Sequence, residues 1–272
     1  MTAPLPIVVS VPHGGTRIPD EARPSCLLDE IDCALDGDTW ARELFAIEDR
    51  VLAYVDTPVP RAVVDMNRDP DDRPPANPDG IVKTVTVQGK RIWTDPSGPP
   101  DPLASVLIER YHGPYHRTLH RMCSTTEAVL GLDCHTMLAL GPAMGPGAGE
   151  PRPLVCLGNR GGPDGQEAGE PLTAPADLVQ RLRQVLEEAL QDVEVECRRP
   201  GPAVTINDPF RGGHITRHHA RRGPLPWIQL EISRALYLPA GGAVVAKPEP
   251  TDMRRMAGVR SRIVSALIAA ST

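Results

Sequence analysis

Several stretches place side chains capable of metal and proton chemistry where a buried segment runs into a turn. VVSVPHGG carries His13, DGDTWARELF carries Asp38, VLGLDCHT carries Asp133 and His135, and WIQLEISR carries Glu231. A hydrolytic centre with one zinc ion needs three ligands drawn from histidine and carboxylate, an open position for water, and a nearby carboxylate to take that water's proton. His13, His135 and one acid could supply the ligands, with Asp38 as the acid. Glu231 would then be free to act as base. Each residue alone also has a plainer reading. His13 after Pro12 could be a turn residue, and Asp38 the N-cap of a following helix. Glu231 within an apolar strand could pair with a nearby arginine, because a buried carboxylate is costly unless it is paired or has a task.

Arginines give a substrate its character. In PRAVVDMNRDP, Arg61 and Arg68 flank a strand-like run that also carries Asp65 and Asn67, and in NDPFRGGHITRHH, Arg211 and Arg217 surround a glycine pair close to Asn207. Guanidinium forks bind carboxylates in bidentate fashion, so the set points to a small anionic substrate. A second histidine run, YHGPYHRTLHR, puts His112, His116 and His120 at i, i+4 and i+8 of a helix. Gly113 and Pro114 are expected to interrupt that helix. The run reads as a solvated or hydrogen-bonded face outside the main site.

The elements that must position these groups follow from hydrophobic runs and turn residues. Apolar, β-branched runs bounded by Pro or Gly predict strands at 7–11, 52–56, 62–66, 129–134, 154–157, 203–206 and 227–232. Helical patterns predict helices at 39–50, 103–129, 175–192 and 251–270. The alternation implies an α/β layered fold with a mostly parallel or mixed sheet and helices on both faces. In such folds ligands sit at the carboxyl ends of strands, where the chemistry-bearing residues fall. The glycines after His13 are expected to keep side chains away from the metal.

Bulk properties exclude other classes. Apolar residues make up 40% and charged residues 24% of 272 residues, which supports one globular domain over residues 1–272. The 31 prolines and 3% aromatic content predict a Val, Leu, Ile and Ala core wrapped by long loops near 69–102, 141–153 and 158–175. A net charge of −6 argues against a nucleic-acid partner. The 6 cysteines form no CxxC pair, no basic leader precedes the first apolar run, and no apolar run is long enough to span a membrane. The expectation is a cytoplasmic protein with no membrane partner. The sequence carries no signal for oligomeric state.

Taken together and in order, VPHGGTRIPD, DGDTWARELF, RAVVDMNRDPDD, LDCHTM, INDPFRGGHITRHH and WIQLEISRALYL resemble the N-formylglutamate amidohydrolase family over about residues 7 to 238. That family resembles the zinc carboxypeptidases and aspartoacylase in fold. The resemblance implies a three-layer α/β/α sandwich around a mixed, mostly parallel sheet with one catalytic Zn2+ per chain. It implies His13, Asp38 and His135 as metal ligands, Glu231 as general base and acid, and Arg61 as the group polarising the scissile carbonyl. Asn67 and Arg68 match a pair that grips a substrate carboxylate, with Arg217, then His218 or Arg211, as further contacts alongside Asn207. The implied activity is hydrolysis of N-formyl-L-glutamate to formate and glutamate, a step of histidine breakdown. The chain departs from the family pattern at Cys134, Thr136 and His214, the last standing where a tyrosine is expected. Other readings on the same scaffold are a deacylase or carboxypeptidase-like hydrolase, or a non-catalytic metal- or carboxylate-binding relative. The same ligand set also accepts iron, cobalt or nickel.

Overall fold

The run LPIVVSV forms β1 (Leu5–Val11), and its β-branched residues alternate between two buried faces of a sheet. In the computed structural model, which describes residues 3–142, 147–239 and 245–271, β1 is followed by α1 (Glu30–Asp36), α2 (Ala41–Leu44) and β2 (Val51–Asp56). Next come α3 (Asp101–Leu107), a π-helical turn (Ile108–His112), α4 (Gly113–Thr125), β3 (Leu130–Met137) and β4 (Val155–Gly158). The chain continues through α5 (Ala176–Leu190), β5 (Val204–Ile206), α6 (His214–Arg222), β6 (Trp227–Ser233) and α7 (Pro250–Ser271).

The six strands lie in the order β2-β1-β3-β6-β4-β5. β2, β1, β3 and β6 are parallel, whereas β4 pairs with β6 antiparallel and β5 follows β4. One face is apolar along its length: Ile7, Val9, Val11, Leu132, Cys134, Leu230 and Ile232 pack against residues of α2, α5 and α7. Burying each such Val, Leu or Ile side chain contributes about 1.5–3 kcal/mol. The opposite face begins apolar, with Val8, Val55 and Trp227 under α4 and the loops. It turns polar toward the carboxyl ends, where Ser10, Asp133, His135, Gln229 and Glu231 are all buried. The chain is thus a layered α/β sandwich on a mixed, mostly parallel sheet, as expected.

Local expectations fail in instructive places. Residues 62–66 form turns, not a strand; the N–H groups of Val63 and Val64 both bond the Pro60 carbonyl, which coils the run while its apolar side chains stay buried. The helix expected at 39–50 shrinks to Ala41–Leu44, because Trp40 takes a left-handed conformation (φ 56°) and breaks continuity with Asp38. A helix absent from the expectation, α1, precedes it, closed at its start by a capping box between Asp29 and Asp32. Gly113 and Pro114 do not interrupt the 103–129 helix. The Gly113 N–H bonds the Ile108 carbonyl one residue further back than in an α-helix, and this π turn accommodates a proline that has no N–H to donate.

Long loops occur where proline and glycine concentrate, although 143–146 of the 141–153 excursion lies outside the described residues. The 69–102 loop carries its own core: Ile81, Ile92 and Trp93 are fully buried, and the Trp93 indole donates to the Lys83 carbonyl at 2.7 Å. Lys83, itself buried, pairs with Asp36 at 3.3 Å and Asp79 at 3.1 Å. No helix among the described residues is long and apolar enough to cross a membrane.

Candidate metal centre

His13 follows the end of β1, and His135 lies near the end of its parallel neighbour β3. In register with His135 on the next parallel strand stands Glu231, so the two side chains emerge on the same face, one strand spacing of about 4.8 Å apart. Asp38 arrives from the turn after α1. Its N–H bonds the His13 carbonyl at 3.0 Å, and its Oδ2 accepts the Thr136 N–H at 3.0 Å. Asp38 is therefore not a helix cap, since its carboxylate is spent across the chain on β3. Arg234 fixes the same turn: its guanidinium donates to the Gly37 carbonyl, Thr39 and Thr136, and stands 3.7 Å from Asp38 Oδ1.

One donor atom each from His13, Asp38 and His135 falls within 4.8 Å of the others, and all three residues are buried. The two Nδ1 atoms face each other at 3.1 Å, and Asp38 Oδ2 lies 3.1 Å from that of His135 and 3.8 Å from that of His13. Each ring's other nitrogen is taken by a carboxylate. His13 Nε2 meets Asp65 Oδ1 at 2.7 Å, and His135 Nε2 meets Asp133 Oδ2 at 2.9 Å. A carboxylate behind each imidazole orients the ring and leaves its inner nitrogen as a ligand. The donor set therefore fits a divalent transition metal. Asn67 binds the assembly from the side, with Nδ2 at 3.2 Å from His135 Nε2 and 3.4 Å from Asp133 Oδ2, while its Oδ1 accepts the Ile215 N–H.

The electrostatics follow from this crowding. Burial opposes the ionisation of Asp38, but the His135 hydrogen bond and the charges of His13, His135 and Arg234 hold its carboxyl well below the usual range. Asp65 is likewise held low against its burial, by His13 and Arg61. For His135 burial favours the neutral ring, yet Asp133, Asp38 and Glu231 push its pKa well above the usual imidazole value. Burial, aided by Arg61, outweighs Asp65 at His13 and moves it down. Glu231 is pushed up to about 7 by burial, with Asp38 and Asp133 adding to the effect and His135 and Arg61 opposing it. Its Oε1 accepts one hydrogen bond from the Gln229 amide at 2.8 Å.

These groups open onto a cleft of about 590 Å³ lined by His13, Asp38, His135, Glu231 and an unusual set of arginines: Arg61, Arg68, Arg152, Arg160, Arg211 and Arg234. Arg61 holds Asp65 through Nη2 at 3.2 Å, and its buried Nε has no partner among the described residues. Arg68 pairs with Asp79 at 2.7 Å, and Arg211 donates to the carbonyls of Arg160 and Gly161. Arg152 lies over the Phe210 ring at 5.0 Å. Sequence reasoning missed Arg152, which lies three residues before the start of β4. It also assigned no role to Asp65 or Asp133, although both stood in the motifs.

Three expected substrate contacts lie outside the cleft. Asn207 follows β5, whose carboxyl end lies at the opposite edge of the sheet, and its amide is spent on Asn159 and the Gly162 carbonyl. Arg217 is exposed on α6. His218 packs against His116, His214 and His219. The glycines after His13 also have a different task from the one expected. A Cβ on Gly14 would meet Arg42 at 2.5 Å, and one on Gly15 would meet the Pro58 backbone at 2.4 Å. They permit close chain packing and do not clear space at the metal position.

Two histidines and one aspartate that could hold a metal ion, at the carboxyl edge of a mixed sheet and faced by a buried glutamate, define the chain as a layered α/β sandwich with its candidate site in the sheet-edge cleft. The sequence model of the N-formylglutamate amidohydrolase family matches residues 5–238, and the chain belongs to that family. An N-formylglutamate deformylase of Pseudomonas putida is 27% identical over 242 residues, covering 86% of this chain and 82% of the relative. The N-formylglutamate deformylase of Pseudomonas aeruginosa is 25% identical with the same coverage. The crystal structure of an N-formylglutamate amidohydrolase from Ralstonia eutropha superposes with a TM-score of 0.70 at 23% identity, over 98% of this chain and 94% of that one.

Proposed function

We propose that this chain is a zinc-dependent amidohydrolase that cleaves the amide of a small N-acyl amino acid, N-formyl-L-glutamate first, to formate and glutamate. The observation that carries the reading is the His13, Asp38 and His135 cluster facing Glu231 in a cleft lined by arginines. The relatives named N-formylglutamate deformylase support the substrate, and an arginine-lined cleft suits its two carboxylates.

Bound at His13, Asp38 and His135, the metal would lower the pKa of water to roughly 7 and polarise the formyl oxygen. The chain's own groups do the rest. Glu231, with a pKa near 7 and a carboxylate oriented by Gln229, takes a proton from the attacking water and delivers it to the amine nitrogen as the C–N bond breaks. The unpartnered Arg61 Nε donates to the oxyanion that develops on the formyl carbon. Asp65 holds that guanidinium and His13 at once, so the donor and the ligand keep a fixed relation. Arg68, Arg152 and Arg211 receive the substrate carboxylates. The cysteines are free thiols, which fits a reducing, cytoplasmic setting.

Release of the free amino acid by the zinc-loaded protein tests the assignment with N-formylglutamate, N-acetylglutamate and N-formyl derivatives of amino acids with uncharged side chains. Fastest turnover of N-formylglutamate is expected. Preference for the acetyl compound would move the substrate to a larger acyl group, and preference for an uncharged side chain would leave the arginines only the α-carboxylate to bind.

A further inference from the structure

Six of the 8 histidines belong to a second region of the molecule, away from His13 and His135. His112 ends the π turn, His116 lies one turn on in α4, and His214, His218 and His219 come from α6. His120, on the same run, is exposed and stays out of the cluster. The rings pack closely: His112 and His116 are 4.2 Å apart between centroids, His116 and His214 5.3 Å, and His116 stacks on His219 at 5.2 Å. Because the helix runs through Gly113 without a break, His112 and His116 are brought to the same buried side as α6. They do not face solvent.

Hydrogen bonding on the outside of the cluster fixes what is left inside. His112 Nε2 donates to the Arg68 carbonyl at 3.0 Å, and His116 Nε2 donates to the Met66 carbonyl at 2.9 Å. A carbonyl can only accept, so both neutral rings carry their proton on Nε2 and present a lone pair on Nδ1. His214 Nδ1 faces Asp69 Oδ2 at 3.6 Å, and its Nε2 is buried with no hydrogen-bond partner among the described residues, in a residue that is 7% exposed. A buried imidazole nitrogen left unpaired is costly. One ring nitrogen from each of His112, His116 and His214 lies within 4.8 Å of the others.

We propose that His112, His116 and His214 form a second metal site, for a divalent transition ion of the zinc, nickel or copper type, separate from the sheet-edge centre. The backbone carbonyls that accept from His112 and His116 are the kind of partner that orients metal-bound histidines, and the Asp69 carboxylate stands 3.6 Å from His214 Nδ1. An imidazole-only donor set selects borderline ions over magnesium or calcium. Burial keeps all three rings uncharged near neutral pH, with His214 lowered to about 4, so no proton has to leave before an ion binds. The ligands close by a small inward movement to bonds of about 2.0–2.1 Å. As the ion binds, His116 Nδ1 gives up its 3.0 Å contact with His219 Nε2. Asp69 is exposed and His218 half-buried, which provides a route from solvent. The ion would tie α4 and α6 to the Met66–Arg68 backbone, and the residue between those carbonyls, Asn67, is the one that touches His135 and Asp133.

The test is metal stoichiometry on the full chain, stripped with chelator and dialysed against zinc chloride, together with anomalous-scattering maps of zinc-grown crystals of the unaltered protein. The expected result is two zinc ions per chain, with one lost in His214→Gln and the other lost in His135→Ala. The maps should show a peak between His112, His116 and His214, which answers the question even if a variant fails to fold. A single zinc ion that His135→Ala removes and His214→Gln retains would overturn the proposal. So would a map with no peak at the second cluster. A single ion that His214→Gln removes and His135→Ala retains would uphold this site while sinking the sheet-edge one.

Discussion

The two histidine clusters are made from different materials. At the sheet edge, His13 follows β1 and His135 lies in its parallel neighbour β3, and each has a carboxylate behind its outer nitrogen. In the helical cluster, His112 and His116 have carbonyls there instead. A carbonyl fixes which nitrogen carries the proton but adds no net charge, so burial wins and the rings stay neutral. A carboxylate adds charge, and at His135 it outweighs burial, whereas at His13 burial aided by Arg61 prevails. One cluster is therefore electrically active and faces an open cleft with an acid of raised pKa. The other is a set of neutral donors, with the exposed Asp69 3.6 Å from His214 as its carboxylate neighbour, suited to holding and not to reacting.

That contrast breaks most readily at Glu231. Glu231→Gln should lower kcat about 100- to 10,000-fold, the range for removing a positioned base, with metal content unchanged. Steady-state rates and elemental analysis of the same sample check it. His219→Gln, in the helical cluster, should reduce kcat far less. Comparable losses in both would mean that the clusters are not functionally distinct.

Arg61→Gln comes next. Losing an oxyanion donor costs about 100- to 1000-fold in kcat, and KM should move little if Arg61 acts on the transition state. A rise in KM with unchanged kcat would reassign it to ground-state binding of the substrate.

Below that lie the carboxylates behind the rings. Asp133→Asn and Asp65→Asn should weaken metal binding at the sheet edge about 10- to 100-fold, measured by competition with a chromogenic chelator. Asp69→Asn, behind His214, should leave that affinity alone. If all three variants weaken the same binding event, the two clusters share one ion.

Much of the sheet-edge cluster was legible because the strands are continuous apolar runs, and a run that stops at VPHGG or in LDCHT marks its own edge. Parallel neighbours then bring those ends together, so His13, His135 and Glu231 could be placed in one site before any geometry was known. Arg152 was not legible. It precedes its strand, and only the reversal of β4 relative to β6 carries that start to the edge where β6 ends. The same reversal sends Asn207 the other way. The helical cluster was hidden by Gly113 and Pro114, which read as a break. A one-residue shift to π-type bonding removes the break and turns the histidines inward. Residues 62–66 misled for a similar reason, since burial alone makes a turn look like a strand.

The smallest effect separates the clusters by the sign of a pH slope. In the metal-free chain Glu231 holds its proton up to about pH 7, against 4.5 ordinarily. Its contribution to stability is therefore complete below about pH 4.5 and is lost as pH rises through 7. The slope is at most about 1.4 kcal/mol per pH unit for one proton. His214, lowered from 6.5 to about 4, works in the other direction: its contribution is present above 6.5 and lost as pH falls through 4. Urea unfolding in chelator should thus show wild type losing stability relative to Glu231→Gln between pH 4.5 and 7, and relative to His214→Gln between pH 6.5 and 4. Slopes of one sign for both variants would mean that burial, which raises an acid and lowers a base, does not set both shifts.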